Sequence, residues 1–226
     1  MSAKEIIKLY QTPVTVAGGI ATPMQDSNHS YSDEVLGLSI GTWDSCNLYD
    51  IARTDDCDKL ITIIEGSLTV KNNLTGKTDT ILAGESIVVH QGSYNSYHQK
   101  GNFYAVYVSY QSNSRLKGTT NNILHIHNNS EIPWQETSDG NRKKVLYQTP
   151  EQRFTVGIWQ SKQLTTGLIN FPYHEFIFIN QGNLVCIDEM GVTHHFNRGD
   201  VLFIPQGTSC AWQIKNKISL YFAQIK

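Results

Sequence analysis

Gly199-Asp200-Val201-Leu202-Phe203-Ile204-Pro205-Gln206-Gly207 is the stretch whose reading decides the fold. Four strand-forming apolar residues stand between two turns, the second a Pro-x-Gly that stops the strand and aims the next residues inward. The stretch has a counterpart 115 residues earlier, Gly84-Glu85-Ser86-Ile87-Val88-Val89-His90-Gln91-Gly92. Five residues beyond each copy stands an aromatic, Tyr97 and Trp212. Upstream, Gly41-x-Trp43 recurs as Gly157-x-Trp159, and fifteen residues after each Trp come Asp58 and His174. Ile61, Ile63, Gly66 and Leu68 then match Ile177, Ile179, Gly182 and Leu184 at an offset of 116. One residue therefore separates the copies in the hairpin between the two blocks. Tyr107 and Tyr221 close the two units on this reading. A period this long marks a duplicated domain, since solenoid repeats run to roughly 20–50 residues.

Length and composition agree with two domains. The chain has 226 residues, 39% of them hydrophobic, and a net charge of −2 with both signs interspersed. No basic stripe points to nucleic acid and no basic amphipathic helix to a membrane surface. The N-terminus, MSAKEIIKLYQ, lacks the apolar core of a signal peptide. Cys46, Cys57, Cys186 and Cys210 lack metal-finger spacing and read as reduced thiols of a cytoplasmic protein.

Period-two patterning dominates. Leu60–Ile64, Ser67–Lys71, Ser86–His90, Tyr104–Ser109, Phe176–Ile179, Val201–Ile204 and Leu220–Ala223 read as strands. Asn72 to Gly76 and Asp188 to Gly191 read as hairpin tips. No long 3.6-residue period appears, so the fold class is all-β, a sandwich or barrel in each half. The expected domains are 1–112 and 145–226. Between them, 113–144 is a polar, turn-rich connector in which Ile123 to Ile126 begins the first strand of the second domain.

The Gly199 to Gly207 block is similar to the second cupin motif, and Glu175 with Gly182 fits the end of the first, Glu-x6-Gly. The chain thus resembles a bicupin over about residues 35–110 and 150–226. Within cupins, Gly157-x-Trp159, His174-Glu175-Phe176, Gly182, Gly199-Asp200, Pro205-x-Gly207 and Cys210-x-Trp212 resemble the ethanolamine-utilisation and ureidoglycine-aminohydrolase type. The resemblance implies two tandem double-stranded β-helix (jelly-roll) barrels. It says little about activity, which must be argued from the site.

The resemblance also implies where a metal would sit. A metal-binding cupin supplies a His-x-His ahead of the Glu, the Glu itself, and a His after Pro-x-Gly, a donor set suited to Fe, Mn, Ni or Zn. In the second copy the His-x-His positions hold Ile169/Phe171 or Leu168/Asn170, and the last position holds Cys210. In the first copy they hold Arg53/Asp55 or Ala52/Thr54, with Lys59 for the Glu and Asn95 for the final His. No metal cofactor is expected in either barrel. His125-x-His127 followed by Glu131 imitates the motif, but its next Gly comes too late and no Pro-x-Gly follows at the right distance. His194 and His195 are adjacent and would face opposite sides of a strand.

Glu175 is the sharpest candidate. An inward carboxylate among apolar side chains has its charged form disfavoured, which suits acid–base work. Cys210 is a second catalytic candidate, as a nucleophile. Phe171, Tyr173, Trp212 and Tyr221 complete the expected ligand slot in the second barrel. In the first barrel Lys59 and Asn95 are ligand candidates, Lys59 for a carboxylate or other anion. Structural roles are open for all of them. Three functions follow: a metal-independent bicupin binding an unidentified small molecule in the second barrel; a hydrolase, lyase or isomerase with Glu175 as acid–base; and a structural or storage-like bicupin. Nucleic acid and membrane are not expected partners, and a homodimer is expected because jelly-roll edges need covering.

Overall fold

The computed structural model describes residues 5–9, 28–112, 123–126, 132–137 and 140–226. Every regular element among them is a β-strand, and no helix is long and apolar enough to cross a membrane. The chain divides into two compact units, one of residues 11–127 and the other of residues 1–10 with 128–226.

In the N-terminal unit, two 17-residue strands, Leu38–Thr54 and Tyr94–Tyr110, pair along most of their length. Their register slips between Cys46, Leu48 and Ile51, where Asn47 adopts φ 97°. Beyond that bulge Tyr94–Tyr110 pairs with Ser67–Asn72; before it, with Asp58–Glu65. A bulge bends a strand and sharpens its twist, so one strand pair serves both layers of the barrel. Trp43, Ile61, Leu68, Tyr97, Phe103 and Tyr107 form the heart of the core.

The C-terminal unit repeats the plan with the long strands broken. One sheet runs Ile7–Lys8, Val201–Ile204, His174–Gln181, Ile218–Ile225, Phe154–Ser161, Arg142–Gln148, Gln135–Glu136. The other sheet is built from Leu164–Thr165 and Ile169–Asn170 against Ser209–Ile214, followed by Asn183–Asp188 and Thr193–Asn197. The repeated glycines explain themselves. Gly66 (φ +78°) and Gly182 (φ +87°) sit in the positive-φ region, and a Cβ on either would stand 2.4 or 2.5 Å from a carbonyl oxygen, of Asn102 or Lys217. The repeated Asp58 and His174 do the same task with different chemistry. Asp58 Oδ1 accepts the Gln91 N–H at 3.0 Å, and His174 Nδ1 accepts the Gln206 N–H at 3.2 Å. The extra residue of the first copy falls in the hairpin tip: the Asn72 N–H donates the closing bond to the Lys77 carbonyl, and the Asp188 N–H to the Val192 carbonyl.

Two expectations are corrected. Ile123–Ile126 pairs with Ser86–Val89 and so completes the N-terminal barrel, not the C-terminal one. The equivalent segment of the first copy, Ile7–Lys8, pairs with Val201–Ile204. Each copy's opening strand therefore belongs to the other copy's sheet, which sequence order alone conceals. The connector is also more regular than its composition suggests, since Gln135–Glu136 and Arg142–Gln148 are sheet strands of the C-terminal unit.

Candidate functional site

The C-terminal barrel encloses a pocket of about 320 Å³. Trp159, Leu164, Ile169, Trp212, Leu220 and Phe222 form its apolar walls. Glu175, Lys143, Gln224, Asn141, Thr137 and Thr166 supply its polar groups. The alternation of strands sets this division. Leu220, Phe222 and Gln224 share the inner face of Ile218–Ile225, and Gln224 lies directly opposite Glu175.

Three of the polar side chains form a line. Lys143 Nζ donates to Gln224 Oε1 at 3.0 Å, and Gln224 Nε2 reaches Glu175 Oε1 at 3.4 Å. Lys143 crosses the face of Phe222, its ammonium 4.4 Å from the ring centre, a cation–π contact. Gly157 makes the room: a Cβ there would lie 2.6 Å from the Phe222 ring and 2.2 Å from the Lys144 carbonyl oxygen. That is the physical content of the Gly-x-Trp motif, whose Trp159 meets Trp212 edge-on at 5.9 Å. Burial pushes the Glu175 carboxyl up to about 7, against the opposing pull of Lys143 and the Gln224 hydrogen bond. Burial likewise lowers Lys143, although Glu175 raises it.

The sequence candidates separate. Glu175 and Trp212 line the pocket. Phe171 is buried behind Trp212, 5.8 Å away ring to ring. Tyr173 lies under the Lys226 ammonium at 4.9 Å and is not part of the lining. Cys210 is fully buried in the core beside Cys186, whose thiol is pushed up by donating to Cys210 and by burial. Tyr221 sits on the opposite face of its strand, against Phe178. The correction is one of phase. Tyr107 pairs with Gly41, and the residue that pairs with Gly157 is Phe222, so Phe222 and not Tyr221 is the counterpart of Tyr107. Matching Tyr to Tyr slipped one residue, and a one-residue slip turns a side chain to the other face. Lys143, Asn141 and Gln224 went unread because the pocket borrows them from the connector and the final strand, outside both motif blocks.

In the N-terminal barrel the corresponding positions converge on a carboxylate of the chain itself. Lys59 Nζ lies 3.2 Å from Asp55 Oδ1. Asn95 Nδ2 donates to Asp55 Oδ2 at 2.9 Å and to Ser93 Oγ at 2.8 Å, and Tyr97 Oη donates to Asp55 Oδ2 at 2.7 Å. Arg53 adds a longer contact to Asp55 Oδ1 at 3.8 Å and lies over Tyr97. The anion read as the partner of Lys59 is thus Asp55, whose side chain is fully buried. His125 lies 3.3 Å from Glu85, while His127 and Glu131 fall outside the described residues. His174 turns away from Glu175 and stacks on Phe203 at 5.6 Å.

A family model of the EutQ-like cupin domain matches residues 148–219. A solved protein of unknown function from Pseudomonas syringae shares the fold at TM-score 0.75 and 18% identity, over 98% of this chain and 99% of its own. A cupin 2 conserved barrel domain protein from Leptotrichia buccalis follows at 0.69 and 10%, over 100% and 98%. Residues 148–219 are thus cupin-like in sequence, and the chain as a whole shares the cupin fold. A putative glyoxylate-induced protein from Pseudomonas aeruginosa also superposes on this chain, at TM-score 0.60 and 10% identity over 100% and 97%. No curated protein is significantly similar to this chain in sequence.

The residues at the cupin metal positions do not suit a divalent ion. Of Ile169, Phe171, Glu175 and Cys210, only Glu175 turns an oxygen donor into the pocket, and it shares that pocket with the Lys143 ammonium. Among the described residues, no three His, Cys, Asp or Glu side chains converge as a metal site would require.

Proposed function

We propose that the C-terminal barrel binds a small metabolite without a metal, its apolar body between Trp159, Trp212 and Phe222 and its polar head at Glu175 and Lys143. One observation carries this reading: an acid and a base, linked through Gln224, share a single apolar-walled pocket. Its volume of about 320 Å³ lies at the low end of small-molecule sites, roughly 300–1,000 Å³. A head group that both donates and accepts, such as an amide, a hydroxy acid or a protonated acid, matches Glu175 and Lys143 together. A dianion is disfavoured beside Glu175.

A second reading rests on the titration of Glu175 near 7. A carboxyl that changes state near neutral pH is suited to donate or accept a proton from a bound substrate, which supports a lyase, isomerase or hydrolase. Thermal-shift screening with small metabolites, followed by calorimetry, tests both readings, because a ligand of the folded state raises Tm. A bound ligand should lose about tenfold or more in affinity in Trp212→Ala and several-fold in Glu175→Gln. Undiminished affinity in both folded variants would place the functional site elsewhere. Turnover abolished in Glu175→Gln with binding retained would select the enzyme reading.

A further inference from the structure

Gln224 gives the polar end of the apolar pocket a direction. An ammonium can only donate, so the amide atom that meets Lys143 Nζ at 3.0 Å is the oxygen, Gln224 Oε1. Gln224 Nε2 then faces Glu175, and Glu175 Oε1 must accept across 3.4 Å. A carboxyl proton on Glu175 therefore belongs to Oε2, the oxygen that Gln224 does not hold. Lys143 is half-buried, lies 4.4 Å over the Phe222 ring and makes no ion pair with a described residue. Its charge is seated but not answered.

This geometry constrains what can lie there. In a space of about 320 Å³, with Gln224 bridging the two charges, a ligand carboxylate that reaches Lys143 also lies beside Glu175. Two carboxylates side by side in apolar surroundings do not both stay ionised, so one proton is shared between them. Lys143 favours the charge on the ligand, which leaves the proton on Glu175. An ammonium ligand would instead meet Lys143 as a like charge, and a neutral amide would leave Lys143 without an anion. The protein's own groups are poised accordingly. Burial pushes Glu175 up to about 7 and lowers Lys143, so an anion beside the ammonium relieves both. The other titratable groups in reach are the buried Cys210 thiol, which feels the Glu175 charge, and Lys226, which acts on Lys143.

Given the pocket proposed above, on which this step rests, we infer that its ligand is a small apolar monocarboxylic acid, bound as its anion on Lys143 together with one proton on Glu175 Oε2. The proton comes from solvent, and no bond other than that O–H forms. Glu175 Oε2 then donates to the ligand carboxylate while Oε1 keeps its bond from Gln224. The sign of the pH dependence follows. Below about 7 Glu175 already holds its proton and binding takes up none; above about 7 each bound acid must bring one in.

Calorimetry of the whole protein with benzoate, butyrate and hexanoate, each beside its own amide, in buffers of different ionisation enthalpy, tests this. For an acid that binds, proton uptake should approach one per site at about pH 8 and vanish at about pH 5.5, and affinity should fall by about tenfold per pH unit above about pH 7. The matching amide should show neither effect. Glu175→Gln keeps a donor in place at every pH, so its affinity for the acid should be flat with pH. It should lie several-fold below the natural protein at about pH 5.5 and cross above it beyond about pH 7. Lys143→Met should cost the acid about tenfold or more and the amide far less. If the variants fold poorly, the buffer dependence of the natural protein decides alone. An acid that binds at about pH 8 without proton uptake, or amides that bind where no acid does, would overturn the inference and leave the pocket reading standing. Saturable binding by none of the acids would overturn it too, and the pocket reading would then stand or fall by the metabolite screen.

Discussion

Lys59 and Glu175 occupy the same position in the two copies and show what one residue decides. In the C-terminal barrel Glu175 faces an open pocket and titrates about 7, raised from 4.5 mainly by burial. A carboxyl raised on folding binds its proton more tightly in the native state. Its contribution to stability is therefore fully present below 4.5 and is lost as pH rises through about 7. Glu175→Gln should remove that loss, so the variant gains on the natural protein by about 2 kcal/mol between pH 5 and pH 8, a figure discounted for solvent in the pocket. Urea unfolding at the two pH values measures the gain, and equal slopes for both proteins would refute it. In the N-terminal barrel Lys59 is answered by Asp55, which Asn95 and Tyr97 also bond. Asp55→Ala leaves the buried Lys59 ammonium with only the exposed Asp56 carboxylate, 3.7 Å away, and should cost about 3–5 kcal/mol. Asp55→Leu with Lys59→Met should recover much of that, because an apolar pair needs no compensation. Denaturant midpoints of the single and double variants check it; a double variant as unstable as Asp55→Ala would mean that packing, not charge, holds this cluster.

At the scale of the element, the strand Phe154–Ser161 shapes the pocket through an absence. Gly157 lets the Phe222 ring lie against it, and the Lys143 ammonium lies over that ring. Gly157→Ala should cost about 1–3 kcal/mol by overpacking and displace Lys143 from Gln224, so pocket binding falls together with stability. Thermal unfolding and calorimetry read the two effects, and a variant of natural Tm would show that the strand pair gives way freely. The segment Gln135 to Gln148 is the element whose composition misleads. Its turn-rich approach conceals a hairpin whose residues alternate between two faces. Glu136 and Arg142 pair on one face, while Thr137, Asn141 and Lys143 face the apolar pocket. Period two in a short strand is weak evidence when both faces carry polar residues, because no apolar run marks one as inner.

For the molecule as a whole, the exchange of opening strands has a thermodynamic consequence. Ile7 to Leu9 cover one edge of Val201–Ile204, and Leu9 is buried. Deleting residues 1–9 should expose that edge, and hydrogen exchange at Val201–Ile204 should quicken by about tenfold or more while Ser86–Val89, covered by Ile123–Ile126, keeps its protection. Equal quickening at both strands would show that the two units do not open separately. The sequence by itself determined the duplication, the all-β class, the cupin motifs and the inward place of Glu175 and Trp212. Those follow from local rules, namely period-two alternation, glycines at positive φ and turn chemistry, which act over a few residues and leave their mark in order. Tertiary structure alone decided which barrel each opening strand joins, that Asp55 answers Lys59, and that Lys143 and Gln224 meet Glu175. Those depend on pairing between segments up to 192 residues apart, as between Lys8 and Asp200, and such pairings are selected by the burial and hydrogen bonding of the whole sheet.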